Sequence, residues 1–131
     1  MSVNSNLLVG NDKLDTKHLE LFEMLEMFAV ALRMREEREY LLRYLNLAQQ
    51  HVIDCFTYEE ELLRKTKHPR YFEHRKHHRL YIEQLMMVKD EVERHGYRAP
   101  SVQNQRVLAQ WLEAHILNHD KAILFQSDLA V

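Results

Sequence analysis

The stretch PRYFEHRKHHRLYIEQLMMVKDEV, residues 69–92, decides the fold. Within it Tyr71, His74, His78, Tyr81, Leu85, Val88 and Val92 recur at spacings of three and four, the period of one face of an α-helix. Pro69 suits the first turn of such a helix, where its missing N–H costs nothing, and the pattern predicts a helix over 70–94. Toward the N-terminus, Leu41, Leu45, Ala48, Val52, Cys55, Glu59, Leu62 and Leu63 form a second stripe and predict a helix over 39–66. Leu14, His18, Leu21, Phe22, Leu25, Phe28, Ala29 and Leu32 form another, predicting a helix over 13–36 behind an N-terminal arm at 1–12. The charged run from Arg33 to Glu39 reads as a solvated helix end and turn. Toward the C-terminus, His95–Ser101 is the only stretch that holds both Gly and Pro, and Ser101 is a reasonable N-cap. Leu108, Trp111, Leu112, His115, Ile116, Asp120 and Ile123 then predict a fourth helix over 102–127.

Composition agrees. A chain of 131 residues is one ordinary domain, and 46% apolar with 29% charged residues places it among globular proteins. Only 2 Gly and 2 Pro occur, too few for the many tight turns of an all-β fold. Four helices of roughly 20–28 residues are about 30–42 Å long, and short connections force neighbours to run antiparallel. The expected fold is all-α, an up-down-up-down antiparallel four-helix bundle with a metal site in its core, filling 1–131 as a single domain. A net charge of -2 offers no basic excess for nucleic acid, and no apolar run is long enough to cross a membrane. The single Cys argues against structural disulfides, and MSVNSNLLVG has neither the basic flank nor the apolar run of a signal peptide. The expected compartment is the cytoplasm.

The chain carries 9 His, and several stand within the stripes that should face the core. Buried imidazoles and carboxylates need partners or a metal. His74 and His78, four apart, project from one face, the arrangement by which two imidazoles bind one ion. Cys55 and Glu59 repeat that spacing on the second helix, His115 and Asp120 add an imidazole and a carboxylate on the fourth, and His18 adds one on the first. Seven donors are too many for one ion. Bridging carboxylates hold two divalent ions close together, and such donors suit iron, manganese or zinc.

The phrases DTKH (15–18), CFTYEE (55–60), HPRYFEHRKHH (68–78) and WLEAHILNHDK (111–121) resemble the bacterial hemerythrin pattern over nearly the whole chain. Four separate motifs stand in family order, including the five-residue step from His115 to Asp120. The resemblance implies that His74, His78 and His115 bind one iron, that Glu59 and Asp120 bridge two, and that His18 binds the second. It further implies that the second iron keeps an open position for dioxygen. Cys55 departs from the family, which places a histidine there in the phrase HFxxEE.

Three outcomes are open at that position. Cys55 ligates as a thiolate, since a nearby dication deprotonates a thiol. His51, one turn earlier and where the family often has tyrosine, replaces the imidazole, an awkward substitution given an offset of about 6 Å along the axis. Or the second metal is weakly held or absent, leaving one iron, or zinc, on His74, His78 and His115. The expected function is binding or sensing of dioxygen by a hemerythrin-like diiron protein, ahead of enzymatic turnover. The alternatives are a small redox enzyme handling peroxide or nitric oxide, and a mononuclear or zinc-binding signalling module whose protein partner nothing in the surface pattern identifies.

Taken singly, His18 reads as a satisfied core histidine and Cys55 as a small buried hydrophobe. His68, His77, His95 and His119 read as surface residues, with His119 also placed to support a ligand beside Asp120. Glu60 and Glu61 read as solvated, and Trp111, Phe22, Phe56 and Tyr81 as packing that keeps the site dry.

Overall fold

The protein is described by a computed structural model over residues 7–99 and 107–120, of which His119 and Asp120 are described in their backbone alone. Among the described residues four α-helices follow in order: α1 (Asp12–Arg33), α2 (Arg38–Lys65), α3 (Tyr71–His95) and α4 (Val107–His115). A short 3₁₀ turn, Gly96–Arg98, follows α3, and a π-helical segment, Ile116–Asp120, continues α4. No strand occurs among the described residues. The described residues are all-helical, as composition and periodicity predict, and their arrangement is compatible with a helical bundle: α1 packs on α2, α2 on α3, and α4 on α1.

The apolar stripes meet in one core. Phe22, Leu41, Leu45, Val52, Leu63, Leu85 and Leu112 are removed from solvent there, each contributing on the order of 1.5–3 kcal/mol by burial. Leu7 and Val9, assigned by sequence to an arm, are buried in that core. The arm is tied down because Val9 N–H donates to the Asp15 carboxylate at 2.9 Å and Asn11 caps α1 by accepting from Leu14 N–H at 3.0 Å.

Two helices end earlier than periodicity predicts. α1 stops at Arg33 rather than residue 36, because Arg35 turns left-handed (φ 54°), Arg35 N–H donates to the Leu32 carbonyl and Glu36 N–H to the Ala31 carbonyl. α2 stops at Lys65 by the same device: Lys67 has φ 52°, its N–H donates to the Arg64 carbonyl, and His68 N–H donates to the Leu63 carbonyl. These are Schellman terminations, which usually place glycine at the left-handed position. A side chain there costs roughly 1–2 kcal/mol. Lys67→Gly is therefore expected to raise stability by about 1 kcal/mol in urea unfolding, and an unchanged or lowered midpoint would contradict the assignment.

α3 starts at Tyr71, and Pro69 lies before it rather than inside its first turn. Tyr71 N–H closes a turn on the His68 carbonyl at 3.1 Å, with Pro69 as its second residue, where a fixed φ is favourable. Gly96 ends α3 at φ 61°, ψ -141°, a conformation open to glycine and little else. Residues 102–106 and 121–127 of the predicted fourth helix, with the Ser101 cap, lie outside the described residues.

Candidate metal centre

Glu59 lies at the middle of a buried cluster of metal-ligating side-chain types. It stands one turn beyond Cys55 on α2, and faces His74 and His78, one turn apart on α3, His18 of α1 and His115 of α4. All six residues are buried. The carboxylate is divided between two sets of donors. Its Oε1 accepts from His74 Nε2 at 3.1 Å and His78 Nε2 at 3.2 Å. Its Oε2 accepts from His18 Nε2 at 3.2 Å and from the Cys55 thiol at 3.2 Å.

The ligand atoms of Glu59, His74, His78 and His115 lie within 4.8 Å of one another, and so do those of His18, Cys55 and Glu59. Bonds of 2.0–2.3 Å to a tetrahedral ion set such atoms about 3.3–3.8 Å apart, so small side-chain shifts close either group on a cation. These buried groups could hold a metal ion, and imidazole, carboxylate and thiolate together fit a divalent transition metal.

Charge at Glu59 favours that use, whereas His78 has to give up a proton to ligate. Burial opposes ionisation of Glu59, but the charge of His78 and hydrogen bonds from His18, His74 and His78 outweigh it and hold its carboxyl well below the usual range. Burial likewise opposes charge on His78, yet the facing Glu59 and hydrogen bonds to Glu59 and Glu60 raise it above the ordinary imidazole value. Glu59 is thus already the anion a cation requires.

Sequence reasoning missed Glu60. It was read as solvated, but its side chain is only 26% exposed and its Oε2 accepts from His78 Nδ1 at 2.8 Å. Its other oxygen faces Arg75 Nε at 3.4 Å. A carboxylate on the far nitrogen of a histidine fixes the ring and leaves Nε2 aimed inward, as metal-binding histidines require. Glu60→Ala is expected to weaken metal binding about 10–100-fold in anaerobic dialysis with helix content unchanged. Native affinity in that variant would remove Glu60 from the site.

Aromatic rings wall the cluster. Phe56 stacks on His78 at 3.8 Å between centroids, and Trp111 lies parallel to His115 at 5.8 Å. Tyr81 packs on both rings, and its hydroxyl donates to the Leu108 carbonyl at 3.1 Å. Burial pushes its phenol well above the usual value, so it stays protonated. Phe56 and Tyr81 are buried as packing residues, whereas Trp111 is only partly buried.

The remaining candidates stand apart. His51 lies at the surface between α1 and α2, its Nδ1 3.1 Å from the Leu47 carbonyl and its Nε2 3.6 Å from Glu20, so the structure does not bring it to the cluster. His95 is exposed, and His68 Nδ1 accepts from Arg70 N–H at 3.1 Å. His77 is partly buried and, with Trp111, Ala114, His115 and Asn118, lines a cavity of about 150 Å³ that reaches the cluster at His115. The side chains of Asp120 and His119 lie outside the described residues. The backbone between His115 and Asp120 is π-helical, a winding rare in proteins and frequent at functional sites.

No helix among the described residues is long and apolar enough to cross a membrane. No family model and no curated protein matches the chain.

Proposed function

We propose that this chain is a hemerythrin-like non-heme iron protein that binds or senses dioxygen in the cytoplasm. In this reading the helices run up-down-up-down and antiparallel, and the bundle core holds two iron ions bridged by Glu59 and Asp120. The observation that carries it is the division of the Glu59 carboxylate, with one oxygen turned to two imidazoles and the other to an imidazole and a thiol. A carboxylate that bridges two cations presents one oxygen to each. The four motifs quoted from the sequence support the same assignment.

Ferrous iron, when bound, would supply electrons to a diatomic ligand. The rest falls to the chain. His74, His78 and His115 hold one half of the centre, His18 and Cys55 the other, and Glu59 spans them with its charge already developed. Glu60 fixes the ring of His78. Phe56 stacks on the ring of His78 and Trp111 lies along that of His115. The cavity beside His115 opens on the half of the centre held by His74, His78 and His115, not on the His18 and Cys55 half where the resemblance places the open position.

The buried thiol favours a second reading, a redox enzyme for peroxide or nitric oxide, because a cysteine at the centre adds an oxidisable group. Protein loaded with ferrous iron under argon and then exposed to air separates the two. A visible absorption band that persists, in the native chain and in Cys55→His, supports binding or sensing. Rapid bleaching with multiple turnovers of peroxide supports the enzyme. Iron-loaded protein whose spectrum air leaves unchanged contradicts both.

A further inference from the structure

The two donor groups around Glu59 are chemically unlike. One offers three imidazoles and a carboxylate oxygen, and the other one imidazole, one carboxylate oxygen and the only sulfur in the cluster. Metal choice follows donor softness: thiolate selects zinc, cadmium and other thiophilic ions, whereas imidazole and carboxylate accept iron readily. The geometry points to an asymmetric centre in which His18, Cys55 and Glu59 form a thiolate half-site that takes a thiophilic divalent cation in preference to iron.

Three observations lead there. The Cys55 thiol is buried and 3.2 Å from Glu59 Oε2, the same oxygen that His18 Nε2 approaches at 3.2 Å. His18 comes from α1 while Cys55 and Glu59 come from α2, so the meeting is a product of the fold and not of helical spacing. His51, the other imidazole that could have completed this side, is held at the surface by Leu47 and Glu20.

Binding exchanges one bond for another without electron transfer. The Cys55 S–H bond breaks, a sulfur–metal bond forms, and the proton passes to buffer. Iron offered alone fills both halves. A thiophilic cation offered with it displaces iron from the Cys55 side and leaves it on His74, His78 and His115. The inference rests on the reading of the cluster as a metal centre, and names which cation each half prefers.

The test uses the full chain, stripped of metal and kept under argon. One equivalent of ferrous iron is added, and cadmium is then titrated while near-ultraviolet absorbance is followed. A thiolate-to-cadmium band saturating at about one cadmium per chain, with the iron still bound, is expected. Cys55→Ser should lose the band and bind cadmium at least about tenfold more weakly. Cys55→His, which restores a nitrogen donor, should keep its iron and also lack the band. Cadmium bound without the band, or equally tightly by Cys55→Ser, overturns the half-site. A band that forms while iron fails to stay supports the half-site and removes the iron reading. Failure of both cations to bind overturns the two together.

Discussion

Glu59→Gln is expected to abolish metal binding at both halves of the centre, because this one side chain serves both donor groups. The substitution keeps the volume but replaces an anion with a neutral amide, which has one acceptor oxygen and two N–H donors. Whichever way the amide turns, its nitrogen faces either His74 and His78 or His18 and Cys55, where the carboxylate had accepted hydrogen bonds. Partners that only orient a ligand cost about 10–100-fold in affinity, so loss of the shared ligand should exceed about 100-fold. Stability without metal should fall too, since removing one member of a buried charged network costs about 3–5 kcal/mol. Anaerobic dialysis and urea unfolding in chelator measure the two effects. Native iron content in this variant would show that Glu59 is not the hub.

Removal of metal is the second large effect. A cation that binds the folded chain stabilises it by mass action, about 4 kcal/mol when free metal exceeds the dissociation constant a thousandfold. For a chain of 131 residues that corresponds to roughly 10–20 °C in melting temperature. The loosening should concentrate where α2 and α3 carry their ligands, since five polar groups meet there in a core otherwise built of leucine, valine and phenylalanine. Thermal melting of iron-loaded protein with and without chelator gives the shift directly. Coincident curves would mean that the cluster folds without help from a metal and gains nothing by holding one.

Much of the site was legible because its residues interrupt apolar stripes. His74 and His78 stand between Tyr71 and Tyr81 at core spacing, and Cys55 and Glu59 between Val52 and Leu63. Helical period alone therefore placed all four inside, and the fold brings His18 and His115 to them. Helix ends were harder. α1 and α2 close with Arg35 and Lys67 in left-handed geometry, and neither residue signals a stop as glycine would. Glu60 was read as solvated because it directly follows Glu59 and so falls off the stripe. Its hydrogen bond to His78 crosses from α2 to α3, a contact that no periodicity within one helix reports.

The step from His115 to Asp120 shows what spacing can carry. Five residues along an α-helix turn the side chain about 140° away, a poor match for a shared face. The backbone over Ile116–Asp120 is π-helical, with bonds reaching five residues back rather than four.

Iron stoichiometry tests the metal centre most directly. Metal-free chain is dialysed under argon against ferrous iron, passed through a desalting column, and assayed for iron and protein. About two irons per chain are expected in the native protein, with little or none in Glu59→Gln. Native protein that leaves the column without iron, or Glu59→Gln that retains as much, would contradict a metal centre built on Glu59.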